Sequence, residues 1–247
     1  MTTVLAHRAA FGVIVPSTNT VVEDEYNRIR PEGVSYHAGR ILIENGQLDD
    51  NDVFERFLEN LRLQIESAIE SVLTCEPDQL IMGMSAETFW GGAEGNERFE
   101  QWVREVSGME VTSGAAACDA ALKTVGAKRI GVITPYQSVA DEEVRRFFTE
   151  IGYDVAAVHG LKCSSATSIA DVTPQEVEEA FHKVDVEGVD ALVQAGTNLP
   201  VVGVADRLER QLDKPVIPIN AATVWHALRT RGITDPVDGA GRLLRDF

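Results

Sequence analysis

The run Gly12-Val-Ile-Val-Pro16-Ser17 returns about half a chain later as Gly131-Val-Ile-Thr-Pro135-Tyr136. Each copy is a short stretch of mostly β-branched residues stopped by proline and followed by a Glu-rich segment. That pattern reads as a buried strand, a tight turn and a helix. A second pair follows in step, because Pro77-Asp-Gln-Leu-Ile-Met-Gly-Met-Ser85 resembles Val189-Asp-Ala-Leu-Val-Gln-Ala-Gly-Thr197. Each half therefore runs strand, turn, helix, strand, long helix, strand, turn. The duplication confines the chain to an α/β fold of two pseudo-symmetric lobes, each a parallel sheet flanked by helices. Open α/β sheets bind ligands outside the carboxyl ends of their strands. Four strand-to-helix turns are thus expected around one inter-lobe cleft, where an active site belongs.

The alternation predicts strands over 11–16, 34–41, 79–84, 130–135, 154–159, 190–196 and 216–219. Helices are predicted over 20–28, 52–73, 97–106, 114–125, 140–151, 174–185, 201–212 and 222–230. Gly126, Gly152 and Gly232 stand just past helix ends, and Thr173-Pro174 opens a helix with a cap and a first-turn proline. The lobes divide as residues 1–113 plus 221–247 for the N-terminal one and 114–220 for the C-terminal one. In the first turn, Pro16-Ser-Thr-Asn-Thr20, either Ser17 or Thr18 can cap a helix starting near Thr20. Unpaired amides and the positive end of the dipole make such a helix start an anion site.

Charge narrows the partners. The 247 residues carry 22 Lys plus Arg against 39 Asp plus Glu, a formal net charge of −17. That field repels nucleic acid and anionic membrane surfaces, and the acidic residues fall mainly on predicted helix faces such as 55–70 and 142–150. No apolar run is long enough to span a bilayer. Met1-Thr-Thr-Val-Leu-Ala-His-Arg8 lacks the basic start and apolar core of a secretory signal, which predicts a cytoplasmic protein. Cys75, Cys118 and Cys163 have no metal or redox spacing, and the five histidines form no metal pattern. Cys163, in a Ser-rich loop, is the one candidate reactive thiol. No Gly-x-Gly-x-x-Gly follows a predicted strand, which argues against a dinucleotide site.

Four stretches in order, Gly12–Glu23, Gly83–Gly92, Ile133–Tyr136 and Ala195–Leu199 with Pro215–Leu228, resemble the maleate isomerases and arylmalonate decarboxylases of the aspartate/glutamate racemase superfamily. The resemblance implies no cofactor and a small carboxylate held between the lobes, and it is compatible with a homo-oligomer. It also implies a cysteine from each lobe, one at Met84 (or Gly83) and one at Gly196, yet neither position is cysteine. Glycine and methionine offer neither proton nor nucleophile, so the relatives' thiol chemistry does not carry over. The carboxylate-binding residues do. In the family reading Pro16, Ser17, Asn19, Gly83, Met84, Ser85, Gly196, Thr197 and Asn198 bind substrate, with Tyr136 supplying a phenol. Donors arranged around a developing enediolate can each supply about 3–4 kcal/mol. A proton carrier is still needed. Tyr136 is the first candidate, its pKa expected to fall in a donor-rich pocket; Glu87 and then His159 follow. Phe89 and Trp90 are candidates for an apolar wall as well as for the core. The expected activity is a cofactor-independent isomerase or carbon–carbon lyase acting on a small dicarboxylic or substituted malonic acid. The alternatives are a non-catalytic carboxylate-binding protein, or hydration or retro-aldol chemistry using Tyr136 or Glu87.

Overall fold

The computed structural model describes residues 3–43 and 64–247. Its frame is two four-stranded, wholly parallel sheets of identical order. In the first, β1 (Ala9–Pro16) lies between β2 (Val34–Ile41) and β3 (Gln79–Met82), and β4 (Val111–Thr112) closes the far edge. In the second, β5 (Arg129–Thr134) lies between β6 (Asp154–Gly160) and β7 (Ala191–Gln194), followed by β8 (Val216–Pro218). The order 2-1-3-4 thus repeats as 6-5-7-8. In both sheets the chain leaves the central strand to one side and returns on the other. Such a switch sends the loops apart at the carboxyl ends and leaves a crevice there. The turns after β1, β3, β5 and β7 are therefore the four that meet.

The helices are α1 (Val22–Arg28), α2 (residues 64–73), α3 (Ala86–Phe89), α4 (Gly92–Ser107), α5 (Gly114–Val125), α6 (Ser138–Glu150), α7 (Pro174–Val184), α8 (Val202–Leu212), α9 (Ile219–Thr230) and α10 (Arg242–Asp246). The part of the predicted 52–73 helix before residue 64 lies outside the described residues. Thr173 caps α7 in a full capping box with Glu176, as its Thr-Pro start predicts. Sequence periodicity misses α3, β4, α10 and a 3-10 turn at Ser168–Asp171, each too short to show a period. It also starts α4 too late. Gly92 and Gly95 lower helix propensity, but Gly95 is required because a Cβ there would stand 1.9 Å from the Trp90 carbonyl oxygen. Among the described residues no helix is long and apolar enough to cross a membrane.

β1 is buried along nearly its whole length, as a central parallel strand covered on both faces must be. In the second sheet, alternate residues feed different cores. Ile130, Val132, Ala191 and Val193 join the large core continuous with the first lobe, whereas Ile133 and Leu192 join a smaller core with Phe181 of α7 and Leu208 of α8. After β8, α9 packs on α1, α5, β3 and β4, so the last long helix lies against the first sheet's elements.

The repeated glycines Gly12 and Gly131 admit close neighbours to the central strands, but of different kinds: side chains at Gly12 and the α7 backbone at Gly131. A Cβ at Gly131 would lie 2.3 Å from the Val184 carbonyl oxygen, whereas one at Gly12 would lie 2.7 Å from Leu80 Cδ2. A side-chain end can give way and backbone cannot. Gly131→Ala is expected to destabilise by about 2–3 kcal/mol and Gly12→Ala by about 1 kcal/mol. Denaturant unfolding of the two variants checks the order.

Candidate active site

The four turns enclose one cavity of about 90 Å³. Pro16 and Asn19 come from the first turn, Met84 and Ser85 from the second, Tyr136 from the third, and Gly196, Thr197 and Asn198 from the fourth. Eight of the residues singled out from sequence therefore meet at one place. Three do not line it. The Ser17 hydroxyl accepts from Ile43 N at 2.9 Å, tying the first turn to the end of β2. Gly83 sits against Val13 and Val22, with no room for a Cβ. Glu87 is buried within α3. Nor do the lesser candidates reach the cavity. His159 lies beside Lys183 Nζ at 3.3 Å, Phe89 packs on Phe147 and Phe148, and Trp90 lines a separate groove with Phe99 and Trp102. The apolar wall is instead Ile43, Ala166 and Ile169, with Met84. Ile43 follows β2, and Ala166 and Ile169 follow β6, strands that flank β1 and β5. Their loops end at the same edge, and that topology was the available signal.

Hydrogen bonds knit the turns together. Ser85 Oγ is 2.5 Å from the Tyr136 hydroxyl and accepts from Thr197 N at 3.0 Å. Asn19 Nδ2 donates to Thr197 Oγ1 at 3.2 Å. Thr20 N donates to Asn198 Oδ1 at 3.0 Å, and Asn198 Nδ2 donates to the Ala166 carbonyl at 2.8 Å. From outside the cavity, Arg40 Nη1 donates to the carbonyls of Ser17 and Asn19.

The first turn departs from its expected capping. The helix starts at Val22, and neither Ser17 nor Thr18 caps it; Asn19 Oδ1 accepts from both Val21 N and Val22 N at 3.0 Å. Ser17 is already committed to Ile43, so the next side chain with an acceptor takes the amides. Those amides and Thr20 N are thereby paired within the protein. The expected anion site at this helix start is not what the cleft offers. Its donors are side chains on all four turns.

Tyr136 also departs from expectation. Burial pushes its phenol well above the ordinary value, the Ser85 hydrogen bond opposes this only in part, and Asp141 adds to the rise. The phenol is therefore a neutral hydrogen-bond donor at neutral pH, not a base. Its backbone N donates to Thr134 Oγ1 at 3.0 Å, and that hydroxyl donates to Asp141.

The resemblance places cysteines at Met84 or Gly83 and at Gly196. Here Met84 and Gly196 line the cavity, and no cysteine does among the described residues. Cys118 is buried in α5, Cys75 is exposed, and burial raises the thiol pKa of Cys163. Gly196 has φ 134° and its hypothetical Cβ would lie 2.4 Å from Pro135 Cδ. This turn passes too close to the Pro135 ring for any side chain.

One buried carboxylate bridges the lobes behind the cavity. Glu25 Oε1, from α1, accepts from Val201 N and Val202 N at 2.9 Å, capping α8 from the other lobe. Its Oε2 accepts from Asn220 Nδ2 at 2.7 Å. Burial raises the carboxyl to about 7, against these hydrogen bonds and Arg28.

A protein-family model described as arylmalonate decarboxylase matches residues 11–244. The maleate isomerase of Nocardia farcinica is 26% identical over 241 residues, covering 95% of this chain and 94% of that protein. A mutant of that isomerase with a covalently bound succinylcysteine intermediate superposes with a TM-score of 0.86 at 25% identity, over 97% of this chain and 99% of the other. A doubly substituted arylmalonate decarboxylase in a liganded form has the same fold, with a TM-score of 0.84 at 19% identity over 97% and 100% of the chains.

The raised Glu25 carboxyl has a definite sign for stability. Its folded value of about 7 exceeds the free value of 4.5, so its contribution is fully present below the unfolded pKa and is lost as pH rises through about 7. Relative to Glu25→Gln, the native protein is expected to lose about 2 kcal/mol of unfolding free energy between about pH 5 and about pH 8. Guanidinium titrations of both proteins at the two pH values measure this difference.

Proposed function

The chain belongs to the arylmalonate decarboxylase family, and from that premise we propose that it is a cofactor-independent carbon–carbon lyase that decarboxylates a substituted malonic acid. The observation that carries this reading is the pairing, in one cavity, of neutral donors on all four turns with an apolar wall of Ile43, Ala166 and Ile169. In the proposed step one carboxylate leaves as CO2. The electron pair of the broken bond moves onto the remaining carboxylate as an enediolate. The hydroxyl of Thr197 and the amide of Asn198 are assigned to its oxygens, where preorganised donors act most strongly. The Tyr136 phenol is assigned to protonate the carbanionic carbon, with Ser85 O–H stabilising the resulting phenolate until solvent returns the proton. A phenol held protonated by burial suits a donor's role and not a base's.

Isomerisation of a cis-dicarboxylate through a covalent thiol adduct is the less supported reading, because Met84 and Gly196 stand at the expected thiol positions. A carboxylate-binding protein without turnover is the second reading, favoured by the same two residues. Self-association and the absence of a cofactor belong to this proposal as well.

The test is a panel of maleate, methylmalonate and phenylmalonate, scored by CO2 release and by fumarate formation, alongside thermal shift. CO2 from a malonate is expected. Tyr136→Phe should lower kcat about 10²-fold or more while thermal shifts by ligand persist, and Cys163→Ala should leave turnover unchanged. Ligand-induced stabilisation without products selects the binding-protein reading. Fumarate from maleate overturns the decarboxylase assignment, and a panel that neither binds nor reacts overturns the substrate class.

A further inference from the structure

Asn220, in the first turn of α9, is buried and is engaged unequally at its two ends. Its Nδ2 makes two hydrogen bonds, to Glu25 Oε2 at 2.7 Å and to the Thr197 carbonyl at 2.9 Å. Its Oδ1 is buried with no hydrogen-bond partner among the described residues. A buried amide oxygen left unpaired costs free energy that the molecule must offset elsewhere. The offset here is that both atoms facing Nδ2 are acceptors, provided Glu25 is ionised.

A proton on Glu25 changes that arithmetic. Oε1 is occupied by Val201 N and Val202 N, so the proton resides on Oε2 and points toward Asn220. Two donors then face each other. The conflict is relieved when the amide turns over, so that Oδ1 accepts from the Glu25 hydroxyl. Nδ2 then moves to the unpartnered position, and the Thr197 carbonyl loses its donor. The observed orientation leaves one polar atom unsatisfied, Asn220 Oδ1, and the turned-over one leaves two, Nδ2 and the Thr197 carbonyl, so the amide turns over only while Glu25 holds its proton. We propose that Glu25 and Asn220 are positioning residues for the cavity. The protonation of Glu25 sets the Asn220 amide, and the amide holds or releases the turn bearing Thr197 and Asn198.

The surroundings of Glu25 are compatible with titration near neutrality. Arg28, on the same helix, favours the charged form, Tyr26 beside it is itself kept neutral by burial, α8 contributes only the two backbone amides, and α9 contributes Asn220. Burial raises the carboxyl to about 7. The effect on ligand rests on the reading that the cavity binds a carboxylate; the amide's movement does not.

The experiment has two arms. Side-chain ¹H–¹⁵N resonances of Asn220 in ligand-free protein are followed from about pH 5 to about pH 9. They are expected to shift with a midpoint near neutrality in the native protein and to stay constant in Glu25→Gln, whose uncharged amide imposes the turned-over orientation. In the second arm, the Kd for phenylacetate is measured over the same range. It should rise about fivefold or more as pH falls through the same midpoint, and Glu25→Gln should show the weak, pH-independent value throughout. Asn220 resonances that do not respond to pH in the native protein overturn the proposal, as does an equal response in the variant. A Kd that ignores the amide transition overturns the link to the cavity. If phenylacetate fails to bind at any pH, the carboxylate reading falls and the resonance arm alone decides the amide's behaviour. That arm needs only the native chain should Glu25→Gln not fold.

Discussion

Thr197 is held at its N–H and its hydroxyl by turns of the other sheet and at its carbonyl by α9. Its N–H meets Ser85 Oγ, its hydroxyl meets Asn19 Nδ2, and its carbonyl meets Asn220 Nδ2. All four residues are buried, and unsatisfied polar groups are expensive in such surroundings. The second lobe therefore cannot slide against the first without breaking the bonds to Ser85 and Asn19 together. The duplicated sheets create the crevice, but this cross-bracing fixes its width and the directions of its donors.

The fold was written plainly in the chain because its two strongest signals, the repeated strand-proline turns and the apolar periodicity, report on the same topology. What periodicity could not reach were elements too short to have a period and helix starts dictated by tertiary contact, such as Gly95 under the Trp90 carbonyl. At the cavity, residues on the four turns were legible because strand ends locate them. Ile43, Ala166 and Ile169 were not, because they sit in loops whose sequence carries no marker of its own. Nothing in the Glu-rich segment after the first turn marks Glu25 out from its neighbours. Its burial depends on α8 and α9 folding back across α1, contacts between residues far apart in sequence. The Tyr136 phenol shifts upward, opposite to what its donor-rich neighbours predict, for a related reason. Residue type announced donors, but only the packed structure shows how completely water is excluded.

Electrostatics divide between the surface and the cleft. The chain carries a formal charge of −17, while among the described residues no Lys, Arg, His, Asp or Glu lines the cavity. Under the proposed function, an acid entering it would trade hydration for oriented dipoles and not for a counter-ion from these residues. Dipoles that are already aligned need little reorganisation when charge migrates from one carboxyl to the neighbouring carbon and oxygens. A fixed cation would instead favour the ground-state carboxylate.

The close approach of Pro135 to Gly196 limits how this protein can change. Glycine and cysteine codons differ by one base, yet replacing Gly196 alone would drive a new β-carbon into the proline ring and load a left-handed backbone with a side chain. Acquiring a thiol there demands a concerted remodelling of two turns from different strands. A side chain at this position is thus a property of two turns together, and the pair can be altered only as a pair.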